Sequence, residues 1–419
     1  MLYLYVPQEN PRIHFIMNLI WKRILGTEVY LTNNKEDFLT YDGPKISYCQ
    51  EKFGEEIHIR PVSLLFEKGI KAQPIEIVEW NHFHLFFPTP LSALPFDPFA
   101  VCFYLVTRYE EYLKDTRYDE HGRFRITDSV AYRLGFHRIP IVNIIAEALA
   151  VLVQKQFPKW KYQQQKYHFL PTFDVDIAYR YKGKTPIRFC GSLAKAILKF
   201  DISSARKLTK TLFSNTIDDD FDIFIRHEEI AKRNSVRPIH FILTAPFGKY
   251  DRNIDFRSKA FRELIQQLQT FSDIGLHPSY HTLEKPALVA KEKARLEEIV
   301  GNPITKSRQH FLKLRFPDTF RTLESCGILE DYTLGWPDEV GFRASITTPF
   351  PFYDLGQERE SKLIIHPLHV MDGALLRCCN SPDEYDLTIS ELRRYAKQYG
   401  GEFVTLQHNS AGVQIMALQ

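Results

Sequence analysis

Five short stretches of this sequence hold residues whose types and spacing can do chemistry. In "TFDVD", Thr172 to Asp176, two carboxylates stand two residues apart. On a strand Asp174 and Asp176 share one face, while Phe173 and Val175 turn to the other. Carboxylates that close repel each other unless a cation or a guanidinium intervenes. Alone, such a pair is most simply a solvated strand end. In "GLHPSYHT", Gly275 to Thr282, His277 and His281 are four apart. On a helix begun by Pro278 they stack one turn apart, a spacing that lets two imidazoles ligate one ion. By itself H-x-x-x-H is a common accident, two surface histidines sharing a helix face. Two histidines with one carboxylate, however, make a zinc set with positions left open for water, the pattern of a catalytic site. Arg308 in "SRQHF" offers a planar guanidinium to the carboxylate that does not bind metal, or is an ordinary surface arginine. Late in the chain "HPLHVMD" and "VTLQHN" supply His366, His369, Asp372 and His408. One histidine at a strand end, aimed at the ion, would complete the machinery; each can equally be a core or surface group.

The elements that must position these residues fall into two territories. Residues 1–165 alternate strand and helix patterns: "MLYLYV" reads as a strand, and a helix follows with Asn10 as N-cap, Pro11 at its first position and Gly26 beyond its end. Further helices are expected across "PFAVCFYLVTRYEEYLKD" and "IPIVNIIAEALAVLVQKQF". The charges of "TRYEEY" (Arg108, Glu110, Glu111) read as a solvated helix face. The glutamine-rich bridge "PKWKYQQQKYHF" marks a boundary. Residues 166–419 then repeat short apolar strands and longer helices, which points to a parallel sheet or barrel with functional residues at the carboxyl ends of its strands.

Bulk properties bound the answer. Of 419 residues 44% are hydrophobic and 25% charged, the balance of a globular protein. Lys and Arg total 54 against 51 acidic residues, with no lysine run standing out, so nucleic acid is not an expected partner. The six cysteines form no C-x-x-C, and reduced thiols fit them best. The amino terminus lacks the layout of a secretion signal and no apolar run is long enough to span a bilayer, so a cytoplasmic location is expected.

In chain order, the D-x-D, the H-x-x-x-H, the arginine motif and the late strand-end histidine resemble the polysaccharide deacetylase family, also called the NodB-homology or carbohydrate esterase family 4 domain. "GWPDEVGFRAS" and "HPLHVMD" resemble its divergent bacterial members, which carry an extra domain of unknown function in front; "FYLVTRYEEYL" and "DEHGRF" resemble that extra domain. The resemblance implies an α/β architecture: a smaller α/β domain over residues 1–165, then a distorted (β/α) barrel over residues 166–419. It implies a divalent metal, zinc first and cobalt, nickel or manganese as alternatives, held by Asp176, His277 and His281. It implies Asp174 as general base, Arg308 holding Asp174 ionised and oriented, and His408 as general acid, with His369 as its rival and Asp372 orienting it. Water activated at the metal would remove acetyl from an N-acetylated or O-acetylated sugar, and a backbone N–H near Tyr280 would help stabilise the oxyanion. A lipid-linked or nucleotide-linked saccharide is the expected kind of substrate. The alternatives are an idle relative that binds glycan or protein, and a hydrolase of non-sugar amides. Two departures from the family pattern stand out: Gln309 and His310 follow Arg308 where proline and an aromatic are usual, and His408 lies in "LQHNS" instead of L-x-H-D.

Overall fold

The computed structural model describes residues 1–213 and 219–410; the end of the second territory, 411–419, lies outside the described residues. Strand β1 (Leu2–Tyr5) buries alternate residues Leu2 and Leu4. A helix follows at Pro11–Met17, capped where the Asn10 side chain accepts from the Ile13 N–H. Strands β2 (Val29–Thr32), β3 (Lys45–Tyr48) and β4 (Ile57–Ile59) join β1 in a parallel sheet of order β2-β1-β3-β4. A hairpin of β5 (Ile77–Trp80) and β6 (Phe83–Phe86) follows. The helix Pro98–Val106 is buried along its whole length, as "PFAVCFYLV", apolar on all sides, requires. It ends earlier than the apolar spacing suggests. Arg108 takes the left-handed conformation (φ 54°), and Tyr109–Tyr112 form a separate tight turn whose Glu110 and Glu111 are buried, not solvated.

The helix Ile141–Gln156 leads through an irregular bridge to β7 (Tyr167–Val175). With β8 (Ile239–Ile242), β9 (Asp273–Leu276), β10 (Lys306–Ser307), β11 (Glu330–Asp331), β12 (Phe350–Asp354), β13 (Arg359–Ile365), β14 (Leu368–Met371) and β15 (Gly401–His408), it forms a nine-stranded sheet of order β12-β13-β11-β10-β9-β8-β7-β15-β14. Every neighbouring pair is parallel except β12 and β13. The sheet curls as a half-barrel and does not close: among the described residues β12 and β14 are its two edges.

One core runs through both territories. Phe15 and Phe103 of the first pack on Tyr353 of β12 with ring centroids 4.8 and 5.4 Å apart. Asn143 accepts from the Thr347 N–H and Val142 donates to the Ser345 carbonyl. Gly341 (φ 130°) permits one close approach, since a Cβ there would stand 2.4 Å from the His137 carbonyl oxygen. Among the described residues no helix is long and apolar enough to cross a membrane.

Candidate metal centre

In a parallel sheet the carboxyl ends of all strands lie at one edge. Asp174 is the penultimate residue of β7 and Asp176 lies one past its end; His277 follows β9, Arg308 follows β10, and His408 ends β15 directly beside Asp174. Asp372 opens the helix Asp372–Cys378 after β14. Strand order therefore gathers Asp174, Asp176, His277, Arg308, Asp372 and His408 at that edge.

Each side chain is held by identifiable partners. Arg308 is fully buried: its Nη1 donates to Asp174 Oδ1 (3.0 Å) and Thr172 Oγ1 (2.6 Å), and its Nε to the Tyr332 carbonyl (3.0 Å). The other oxygen of Asp174 lies 3.5 Å from His277 Nε2. His277 donates through Nδ1 to the Arg308 carbonyl at 2.5 Å, which leaves Nε2 as the lone-pair nitrogen, 3.0 Å from Asp176 Oδ1. His310 is built the same way, its Nδ1 2.8 Å from Asp251 Oδ1 and its Nε2 3.5 Å from Asp176 Oδ2. Across the site His408 is fixed twice by Asp372, through Nδ1 (2.8 Å) and its backbone N–H (2.7 Å), with Nε2 3.7 Å from Asp176 Oδ2.

Donor atoms of Asp176, His277 and His310 lie within 4.8 Å of one another and can hold a metal ion. The fit is supported by what these atoms lack: Asp176 Oδ1 and His277 Nε2 are buried, face each other and have no hydrogen-bond partner. Two acceptors aimed at one point are satisfied by a cation, and a ring N–H donated to a carbonyl or carboxylate is the usual support of a ligating histidine. Burial raises the Asp176 carboxyl, yet His310, His277 and His408 hold it well below the usual carboxylate range. Burial lowers His310 and His408, yet the aspartates facing them push these up to about 9 and about 10.

Residues 2–158 match a protein family of unknown function (DUF7033). No curated protein matches the chain. Solved structures are similar over part of it, among them the following three. A Mycobacterium smegmatis protein assigned as a polysaccharide deacetylase shares 16% identity, covers 61% of this chain and 81% of its own, and superposes with a TM-score of 0.38. A Pseudomonas aeruginosa PAO1 protein assigned likewise has 10% identity, 60% and 82% coverage and a TM-score of 0.37. IcaB from Ammonifex degensii has 11% identity, 56% and 98% coverage and a TM-score of 0.26.

His281 does not join the cluster. The helix expected from H-x-x-x-H is absent: Ser279 is extended (φ −65°, ψ 165°) and only a short turn forms at Tyr280–Thr282. Glu292 holds that conformation by accepting from the Ser279 N–H and Oγ, and the Pro278 carbonyl accepts from the His310 N–H. His281 is left exposed, its ring 5.3 Å from that of Tyr280. The third candidate donor in the cluster is His310. Its signal lay in "SRQHF": a histidine two residues after a strand-end arginine, noted only as a departure from pattern. Asp251, which orients it, carried no signal. The Tyr280 N–H, expected at an oxyanion, donates to Asp251 Oδ1 (3.0 Å). His369, on β14, is buried against β15, its Nδ1 accepting from the Val404 N–H and its ring stacked on Phe403; burial lowers it to about 4.

The first territory also reaches the site. Asp119 braces the turn "DEHGR" by accepting from the His121 and Arg123 N–H groups. From this turn His121 Nδ1 lies 3.0 Å from the Tyr280 hydroxyl and Arg123 donates to the Phe311 carbonyl, next to His310.

Proposed function

We propose that the chain is a metal-dependent hydrolase that removes acetyl from an N-acetylated or O-acetylated sugar, with Asp176, His277 and His310 as the metal ligands. The observation that carries the reading is the inequality of the two aspartates. One oxygen of Asp174 is taken by a buried arginine and the other faces the cluster, whereas Asp176 sits among the histidines. A structural metal site has no use for an arginine-clamped carboxylate on one side and an aspartate-clamped histidine on the other.

A divalent cation bound by this two-nitrogen, one-oxygen set supplies Lewis acidity, polarising an acyl carbonyl and acidifying water near neutral pH. Zinc suits that set best, and cobalt, nickel or manganese are compatible. Asp174, oriented by Arg308, takes the proton of the attacking water. His408, aligned by Asp372, gives a proton to the departing amine or alcohol as the bond to the acyl carbon breaks. Acetate and the freed sugar are the products. The arrangement supports acyl transfer to water; the acetylated sugar, free or carried on a larger acceptor, is supported by the sequence resemblance. The division near residue 165 is proposed as one of function, since packing is continuous across it.

The test is acetate release from N-acetylated oligosaccharides, O-acetylated sugars and simple acetamides by zinc-reconstituted protein. Release from the sugars is expected. Release from the acetamides alone would remove the sugar, and no release from any of them by metal-loaded protein would favour a binding module.

A further inference from the structure

Residues 182–213 hold eight lysines and arginines against one acid, Asp201; of the aspartates that follow, Asp220 pairs with Arg180 and Lys207 and Asp222 with Lys182. The segment forms two mutually packed helices, Pro186–Leu198 and Ile202–Lys210. Asp201 caps the second by accepting from the Ser204 N–H at 2.9 Å. Within the two helices only Ala196, Ser204 and Leu208 are buried. Their large apolar side chains point outward: Phe200 is 90% exposed, Phe213 89%, Ile187 86% and Leu198 81%. Phe200 sits at the turn with φ 56°, a left-handed conformation that costs a phenylalanine energy and here gains it no internal packing. Lys195, Lys199, Arg206 and Lys210 flank these groups, and among the described residues no carboxylate lies within 4.0 Å of them.

An apolar tip ringed by cations fits the boundary between headgroups and acyl chains of an anionic bilayer. A second copy of the chain fits worse, because two such faces would bring like charges together. The hairpin also lies at the catalytic edge of the sheet. Arg188 donates to the carbonyls of Arg252 and Asn253, with its guanidinium 4.0 Å over Phe247, an exposed residue shortly beyond the carboxyl end of β8.

We propose that residues 186–213 are a membrane-surface docking hairpin that seats Leu198, Phe200 and Ile202 in the interface of a bilayer containing anionic lipid. Docked this way, the chain turns the metal-centre edge of its sheet toward the lipid headgroups. The inference stands on exposure and charge, and does not need the hydrolase reading.

The experiment is co-sedimentation of the full chain with phosphatidylcholine vesicles, with and without phosphatidylglycerol, at low and high salt. Binding is expected to the mixed vesicles and to weaken about tenfold or more on neutral vesicles or in high salt. Leu198→Ser with Phe200→Ser and Ile202→Ser should weaken binding to the mixed vesicles by about tenfold or more. Lys195→Glu with Lys199→Glu should weaken it only where phosphatidylglycerol is present. All five positions are on the surface, so circular dichroism of the variants should match wild type. Absence of binding to either vesicle, or undiminished binding by the triple-serine variant, would overturn the proposal. So would a lipid-free dimer that the triple-serine change dissolves, if vesicle binding is absent, since that would assign the face to a second copy.

Discussion

Two buried groups of charges in this molecule differ in what each leaves unfinished. At the junction of the territories Arg108 donates to Glu111 (2.8 Å), Glu110 (2.7 Å) and the Arg343 carbonyl (2.5 Å), while Arg343 donates to both oxygens of Glu111 and to the Gly335 carbonyl. Glu110 also accepts from Ser129 Oγ and the Val130 N–H, and both guanidinia lie over the Trp336 ring. Arg343 and Arg108 hold Glu111 below its ordinary value although burial pushes it up. Among the described residues no charged atom of this knot is buried without a partner. The candidate metal centre, equally rich in charge, leaves Asp176 Oδ1, His277 Nε2 and Arg308 Nη2 without partners. Closed networks of this kind fix a packing, whereas an open one costs stability and persists where something else completes it.

Breaking each cluster in turn should expose that difference. The sharpest contrast lies within the open one: His310→Ala should lose the metal altogether, while His281→Ala keeps about one equivalent, as read by metal content after zinc reconstitution. Asp174→Asn should retain the metal yet lower kcat by about 10²–10⁴, the usual range for removing a general base. Glu111→Ala should act in the opposite way, leaving two buried guanidinia short of a partner and destabilising the fold by about 3–5 kcal/mol in urea unfolding. An intact unfolding midpoint for Glu111→Ala would dissolve the comparison.

A milder test concerns a third buried pair, His227 and His240, joined Nδ1 to Nε2 at 3.0 Å behind Phe173. Burial lowers His227 to about 3 and His240 well below the ordinary imidazole value, so both are neutral in the fold. The unfolded chain binds more protons below about pH 6.5, so their contribution is complete above that value and drains as pH falls. For His227 the loss by pH 5 is about 2 kcal/mol. His227→Gln should flatten the decline in unfolding midpoint between pH 7 and pH 5.

Much of the site was legible because strand ends announce themselves: Asp174, Asp176, His277, Arg308 and His408 each close or follow a short apolar run. What misled was local geometry set from afar. H-x-x-x-H promises a shared helix face, but Glu292 and His310 hold the chain after β9 extended and turn His281 to the surface. Asp251 and Glu292 could not be found, because their partners are distant in sequence and nothing local marks them. "TRYEEY" looked solvated because its partner, Arg343, lies over two hundred residues away. The basic stretch at 182–213 was hidden by an even total charge.

The turn at Asp119 to Arg123 has a consequence for heredity. It belongs to the first 158 residues, yet it forms part of the wall beside Tyr280 and Phe311. A gene cut at the glutamine-rich bridge would encode every candidate metal donor and lose that wall. Relatives that exchange their front halves by recombination would inherit a new rim around an unchanged centre, so selection on what enters the site can act far upstream of the residues gathered there.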